Sequence, residues 1–234
     1  MGHHGGQLTG EEIASALGWW ADAGVDALID EQPRNWLARA PTATAPSASV
    51  LPAAAALPDT LDAFIAWRMA GDDVPEAAWG VPRVAPAGRH DAPLMVLVDC
   101  PSDAALLAEA EQRLFARMLA AIGSAPDDVH LAATMWAEPA VKPEPAVRGR
   151  LEHLARHHVK LARPRATLAL GDAASRALLA MNMAEARGRL HRVNHDGADM
   201  LVVASYHPRF LLQRPAAKAG SWADLQMILG ELQS

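Results

Sequence analysis

Apolar residues in the second half of the chain form four short runs that are separated by helical patterns. Each run has the length of a β-strand, and the segments between them place leucines and alanines at intervals of three and four residues. Strands without polar alternation are buried on both faces, and their alternation with helices is typical of a parallel sheet. The pattern therefore predicts an α/β protein, a three-layer α/β/α fold with a central four-stranded parallel sheet. The predicted strands comprise residues 94–98, 129–133, 167–170 and 200–204.

The amino-terminal part of the chain has a different pattern, which predicts a helical arm. Residues 9–20 combine a capping box with apolar residues at helical spacing. Residues 40–58 are rich in proline, alanine, serine and threonine, which indicates a surface linker. A second helix is predicted around residues 61–69. We therefore predict a helical arm and linker in residues 1–91, packed on an α/β core in residues 92–234.

Composition limits the class of protein. Of the 234 residues, 51% are hydrophobic and 21% are charged. No apolar stretch approaches the ~18–20 residues of a membrane span. No basic segment followed by an apolar one opens the sequence, which predicts a cytoplasmic protein without a membrane partner. A single cysteine, Cys100, excludes an internal disulfide, a four-cysteine zinc site and a cysteine-ligated iron–sulfur cluster. We accordingly expect no metal and no cofactor.

Charge is distributed unevenly along the chain, although the formal net charge is only −6. Acidic residues outnumber basic residues before residue 148, and basic residues outnumber acidic residues in 148–234. A basic segment within an acidic chain is typical of a local polyanion-binding face. Ordinary solvation of helix surfaces is the alternative explanation.

One segment near the carboxyl terminus combines chemical groups that suit work on nucleic acid. It is His207-Pro-Arg-Phe-Leu-Leu-Gln-Arg-Pro215, and it follows the last predicted strand. Ligands of such sheets bind beyond the carboxyl ends of the strands. A histidine held there can donate a hydrogen bond to a developing anion, and apolar side chains beside cations can enter a groove of nucleic acid. A buried histidine followed by an ordinary loop is the alternative.

This segment resembles the carboxyl-terminal motif of the uracil-DNA glycosylase superfamily, and it is most similar to the bacterial and archaeal branch often called family 4. That branch has His-Pro-Ser-x-Leu-Leu-Arg-x-Pro, followed by Lys and by Trp-x-Asp-Leu. Residues 168–179 resemble its strand–Gly–helix unit, and residues 187–191 resemble its Arg-Gly-x-x-His turn. The resemblance spans residues 94–232. It implies the superfamily's fold, DNA as a partner, and hydrolysis of the N-glycosidic bond of a damaged base.

The resemblance also implies roles for residues at the strand ends. Family members carry Gly-Glu-x-Pro-Gly after the first strand, where the glutamate handles the attacking water. The matching stretch here is Val98-Asp-Cys-Pro-Ser102. Asp99 and His207 are therefore the implied catalytic residues. The residues implied to bind DNA are Arg187, Arg189, Arg209, Phe210, Leu211, Leu212, Arg214 and Lys218.

The base pocket departs most from the family pattern. Leu107 falls nearest to the position at which the family has a phenylalanine that stacks on the flipped base. Ala132 and Ala133 replace the family's Thr-Asn, whose asparagine hydrogen-bonds the edge of uracil. We expect Cys100, Pro101, Leu107 and Ala133 to line the pocket, with Cys100 as a small filler; a thiol nucleophile is the alternative. An alanine cannot hydrogen-bond a base edge, which lowers the rate by ~10²-fold or more. The family's Lys-Cys-Arg-Pro becomes Trp-Ala-Glu-Pro139, in agreement with loss of the iron–sulfur cluster.

Three hypotheses follow from these residues. The first is a DNA-binding, repair-associated bacterial protein with an eroded base pocket and weak or no uracil excision. The second is an active DNA N-glycosylase for a different damaged base, which uses Asp99 and His207. The third is a protein-interaction scaffold without DNA binding. Duplex or single-stranded DNA is the expected partner, and a repair protein is a further candidate. A side-chain amide and an aromatic ring brought to His207 from elsewhere would contradict the loss of base recognition.

Overall fold

The computed structural model describes residues 57–102, 104–195 and 197–233. The helix predicted at 9–20 and nearly all of the linker predicted at 40–58 lie outside these residues. The described residues belong to one compact unit. The division predicted after residue 91 remains a prediction. None of the helices in this part of the chain is long and apolar enough to cross a membrane.

The described residues form six strands and seven α-helices. The strands are β1 (Ala87–Gly88), β2 (Leu94–Val98), β3 (Val129–Ala133), β4 (Ala166–Leu170), β5 (Leu190–His195) and β6 (Ala198–Ser205). The helices are α1 (Leu61–Ala70), α2 (Glu109–Ala121), α3 (Pro145–Ala162), α4 (Asp172–Leu179), α5 (Met183–Ala186), α6 (Pro208–Gln213) and α7 (Lys218–Gln233).

The strands form one mixed sheet in the order β1-β3-β2-β4-β6-β5. Strands β3, β2, β4 and β6 are parallel, as the apolar runs predicted. Strands β1 and β5 add antiparallel edges, so the predicted four-stranded sheet is corrected to a six-stranded one. The sequence pattern missed both edges for a physical reason. Strand β1 has two residues, and β5 alternates between partly buried and exposed positions because one face of an edge strand meets solvent.

Alternate residues of the central strands enter two separate hydrophobic clusters. Leu94, Val96 and Val98 pack with side chains from α1, α2 and α7. Met95 and Leu97 pack with side chains from α3 and α4. Because successive side chains of a strand point to opposite faces, the two clusters lie on opposite sides of the sheet. Helices therefore cover both faces, and ligands can reach the central strands only at their ends.

Three strand ends meet at one edge of the sheet. Val98 of β2 pairs with Leu170 of β4, and Leu170 pairs with Ser205 of β6. The residues that follow these positions are therefore neighbours in space. They include Asp99 and the Tyr206–His207 segment, so the parallel register itself assembles the candidate site.

Candidate functional site

A cleft at this edge of the sheet contains both residues that were predicted to be catalytic. Its volume of about 280 Å³ is close to the lower end of the ~300–1,000 Å³ typical of small-molecule sites. A space of this size suits one small ring system. The lining residues are Asp99, Cys100, His207, Arg209, Phe210 and Gln213.

The carboxylate of Asp99 is held by the start of helix α4. Its Oδ2 accepts a hydrogen bond from the amide of Asp172 at 3.1 Å, and its Oδ1 accepts one from the amide of Ala174 at 2.9 Å. The first amides of a helix have no partners within the helix, so a carboxylate from a neighbouring strand satisfies them. Gly171 permits this approach, because a Cβ at this position would lie 2.4 Å from Oδ2. Burial raises the pKa of Asp99, and the backbone hydrogen bonds oppose that rise.

His207 is the N-cap residue of helix α6 and is neutral at pH 7. Its Nδ1 accepts a hydrogen bond from the amide of Arg209 at 3.2 Å. The proton of the neutral ring is therefore on Nε2. Burial lowers the pKa of His207 to about 4, and the nearby Glu111 carboxylate opposes the fall. The ring can thus donate one hydrogen bond from Nε2 to an acceptor.

Arg209 is paired with a carboxylate that the sequence analysis did not single out. Its Nε donates to Oε1 of Glu111 at 2.8 Å, and Glu111 is only 4% exposed. Oε2 of Glu111 accepts the amide of Ala108, so the same carboxylate caps helix α2. The pair joins α2 to α6 and partly neutralises an arginine that was predicted to bind DNA. The sequence signal for Glu111, a glutamate in the first turn of a helix, is too common to indicate a site.

Phe210 stacks on a tyrosine that is itself held in place. The Phe210 and Tyr206 rings lie 18° from parallel with their centroids 4.9 Å apart. The guanidinium of Arg187 lies 3.9 Å from the Tyr206 centroid and donates to its hydroxyl at 3.0 Å. Arg187 also donates to the buried carboxylate of Asp224 at 2.8 Å. Arg187, which was predicted to bind DNA, thus serves this internal network.

Gln213 places a side-chain amide in the same cleft. It lies three residues after Phe210 and six after His207, so these side chains share one face of α6. Its amide makes no hydrogen bond to another residue in the described part of the chain. In the family pattern, this position is an arginine. Gln213 could not be identified from the sequence, because a single glutamine carries no local signal.

The four residues predicted to line a base pocket differ in their surroundings. Cys100 lines the cleft, and the neighbouring Pro101 is buried. Burial and the Asp99 carboxylate raise the pKa of Cys100 to about 11, so its thiol is protonated at pH 7 and is a poor nucleophile. Leu107 and Ala133 are buried in the core, and Leu107 lines a different cavity.

The other residues predicted to bind DNA differ in exposure. Leu211 is buried in the core and anchors helix α6. Leu212, Arg189, Arg214 and Lys218 are exposed. Arg189 donates to a backbone carbonyl of helix α5 at 3.0 Å. Arg214 and Lys218 make no ion pair with residues in the described ranges.

The sequence profile of a known family covers the whole cleft. Residues 87–226 match the Uracil DNA glycosylase superfamily, from strand β1 into helix α7. The chain belongs to the uracil DNA glycosylase superfamily. No curated protein matches the chain significantly. Membership of the uracil DNA glycosylase superfamily confirms the resemblance at that level, and it indicates a function related to that of DNA glycosylases. The closer likeness to family 4 stays a prediction.

Proposed function

We propose that the protein binds DNA and excises uracil weakly or not at all. The observation that carries this proposal is the position of Asp99, whose two carboxylate oxygens each already accept an amide hydrogen from helix α4. A general base must reach the water that it activates. Each oxygen keeps a second lone pair, but the two hydrogen bonds fix the direction of the carboxylate, so Asp99 cannot turn toward such a water without breaking them. Its first role is therefore to hold α4.

The family's means of recognising uracil are also missing. Ala133 offers no side-chain hydrogen bond, and Leu107 lies in the core beside a different cavity. His207 nevertheless keeps the position and the protonation state of a neutral donor to an anion. The site thus retains a group for the leaving base and lacks the family's groups that select uracil.

Exposed cations support DNA binding by the carboxyl-terminal segment. Arg214 and Lys218 are exposed on either side of the short turn between α6 and α7. Leu212 and Phe210 present apolar surface on helix α6, next to this turn. Cations fix a protein on phosphates, and apolar side chains can enter a groove beside them. We propose that these residues contact DNA.

The residues present do not fit the iron–sulfur cluster of family 4. The chain has one cysteine. Where the family pattern carries Lys-Cys, this chain carries Trp136 and Ala137, both buried. Glu76 forms a buried ion pair with Arg68 of helix α1. Oε1 of Glu76 also accepts the amide of Trp136 at 3.0 Å, so the ion pair connects this loop to helix α1. We propose a branch of the superfamily in which side-chain packing replaces the cluster.

The excision proposal is tested with a single-stranded oligonucleotide that contains one uracil. Release of the base leaves an abasic site, which alkali converts into a strand break. We expect the wild-type chain to release uracil far more slowly than an active superfamily enzyme assayed in parallel, and His207→Ala to remove whatever release remains. Release at the rate of an active superfamily enzyme assayed in parallel would refute the proposal.

The binding proposal is tested by fluorescence anisotropy over a range of salt concentrations. We expect the Arg214→Glu/Lys218→Glu double variant to bind more weakly and with a shallower salt dependence than the wild-type chain. Arg163→Glu is the matched control, because this exposed arginine lies near the start of β6, at the other end of the strand from His207. Equal binding by all three chains would refute the contact through Arg214 and Lys218, and absence of binding by the wild-type chain would favour a scaffold that does not bind DNA.

Excision of a different base is the second candidate function. The presence of Phe210 and Gln213 in the cleft with His207 favours it, since an aromatic ring and an amide are the groups that hold a flipped base. A panel of oligonucleotides with damaged bases, assayed by the same alkaline cleavage, tests it.

A further inference from the structure

Helix α6 presents two different faces. His207, Phe210 and Gln213 follow one another at intervals of three residues and line the cleft. Leu211 points the other way, into the core, where it is buried. A six-residue helix anchored by its buried face holds its other face at a fixed position beside the cleft. The three cleft residues therefore form one surface, which we call the α6 face.

The aromatic member of the α6 face is preorganised. One face of Phe210 stacks on Tyr206 at 4.9 Å, and hydrogen bonds from Arg187 to Tyr206 and Asp224 hold that stack in place. Phe210 is nevertheless 39% exposed and lines the cleft. A planar ring that enters the cleft can therefore stack on a phenyl group that does not have to be ordered on binding.

The polar members of the α6 face are mainly donors. His207 offers Nε2–H, and Gln213 offers its amide, with two N–H donors and one carbonyl. Arg209 also lines the cleft and uses only its Nε for Glu111, with no hydrogen bond from its terminal amines to a described residue. Each oxygen of Asp99 already accepts one amide and keeps one further lone pair, so the cleft holds more free donors than free acceptors. A ligand with carbonyl oxygens along its edge complements this set better than one with amines.

We propose that Phe210 and Gln213 form a base-recognition surface on helix α6, which stacks one nucleobase and reads carbonyl oxygens on its edge. This inference rests on the proposed binding of DNA. In the family pattern, residues elsewhere in the sequence stack on the base and hydrogen-bond its edge. In this chain, Phe210 and Gln213 of helix α6 perform these two tasks. An amide and an aromatic ring beside His207 contradict a complete loss of base recognition, and on this proposal recognition resides on helix α6.

The test compares bases that carry a carbonyl in place of an amine, together with a protonated ring nitrogen in place of a bare one beside it. Anisotropy gives the dissociation constants of otherwise identical single-stranded oligonucleotides with one central hypoxanthine or adenine, and with one central uracil or cytosine. We expect the wild-type chain to bind the carbonyl-bearing base of each pair more tightly. The Gln213→Glu variant, which loses the amide donors, should lower that preference about tenfold or more. Gln226→Glu, an exposed glutamine on α7, is the control for the added charge.

The stacking residue is expected to act differently from the reading residue. Phe210→Leu should weaken binding to all four oligonucleotides alike, by roughly fivefold or more, because stacking on an aromatic ring is tolerant of sequence. Its preference for the carbonyl-bearing base should stay unchanged. Trp222→Leu is the control, since Trp222 is 40% exposed and lies outside the cleft. This dissociation of affinity from preference is not expected of a merely destabilised protein.

Failure of this inference can be distinguished from failure of the proposed function. DNA binding without any base preference, or with a preference that Gln213→Glu leaves intact, overturns the α6 surface and leaves the proposed function standing. Absence of DNA binding overturns the proposed function. In that case the inference is tested with free nucleosides. Saturation-transfer NMR then measures the contact of inosine and adenosine with the wild-type chain and with the same variants. Contact of inosine with the wild-type chain that is lost in Phe210→Leu supports it, and equal signals from both chains refute it.

Discussion

Arg68 and Glu76 form a buried ion pair that connects helix α1 to the segment after strand β3. Nη2 of Arg68 lies 2.6 Å from Oε1 of Glu76, and both side chains are 0% exposed. The same nitrogen donates to the carbonyl of Thr134 at 2.7 Å. Burial lowers the pKa of Arg68, and the Glu76 carboxylate opposes that fall. Each charge is therefore stable in the interior only because the other one is present.

The two charges are expected to show strong energetic coupling. Arg68→Met leaves the Glu76 carboxylate buried without its partner, and Glu76→Gln leaves the guanidinium in the same condition. Each single change should lower the free energy of unfolding by about 3–5 kcal/mol. The double change removes both charges together, so it should cost less than the sum of the single changes and about as little as one of them.

The assay is equilibrium unfolding in urea, followed by circular dichroism and tryptophan fluorescence. The four chains of the double-mutant cycle give the coupling energy directly. An exposed pair, Arg89 and Asp91, is the control, and its removal should leave the free energy of unfolding almost unchanged. If the two buried changes prove additive, the charges do not depend on each other and the reasoning is refuted.

Three further predictions concern acid stability, a close backbone contact and the arginine of the cleft. Nε2 atoms of His130 and His158 lie 2.9 Å apart, and burial lowers the pKa of His130 to about 4 and that of His158 well below its usual value. The unfolded chain, whose histidines have a pKa of about 6.5, therefore binds more protons. The free energy of unfolding should fall as the pH drops from about 6.5 to 4, and His158→Gln should flatten that dependence in urea titrations; a flat wild-type curve would contradict this. Gly171→Ala should lower the melting temperature, because its Cβ would lie 2.4 Å from a carboxylate oxygen, whereas Gly149→Ala, in open space on helix α3, should raise stability by about 0.5–1 kcal/mol. Glu111→Gln should strengthen DNA binding, because it removes the charge that is paired with Arg209. The slope of the logarithm of the binding constant against the logarithm of the salt concentration should become steeper by about 1. An unchanged slope in anisotropy titrations would count against a contact between Arg209 and DNA.

The buried part of the fold was predictable because burial leaves a simple record in the sequence. Strands β2, β3, β4 and β6 lie between two layers of side chains, so nearly every residue in them is apolar. The edge strands β1 and β5 have no such record. Strand β1 is placed by its pairing with β3, which is distant in the sequence. Strand β5 is placed by its pairing with β6, to which a turn connects it.

The candidate site was predictable only in part. The strand ends and the motif around His207 indicated where the cleft lies, because the carboxyl ends of parallel strands share one edge. The partners of the predicted residues could not be read in the same way. Helix α4 is the partner of Asp99, Asp224 that of Arg187, and Glu111 that of Arg209.

The class of fold, the parallel core and the superfamily follow from the amino-acid sequence alone, because they depend on local apolar runs and on motifs of adjacent residues. Which charged groups are free depends on the folded chain. A side chain's availability depends on neighbours that are 37 residues away for Arg187 and 98 residues away for Arg209. Gln213 could not be identified from the sequence for the same reason. Its amide becomes a candidate for base recognition only because helix α6 lies beside the end of strand β2 in the folded chain.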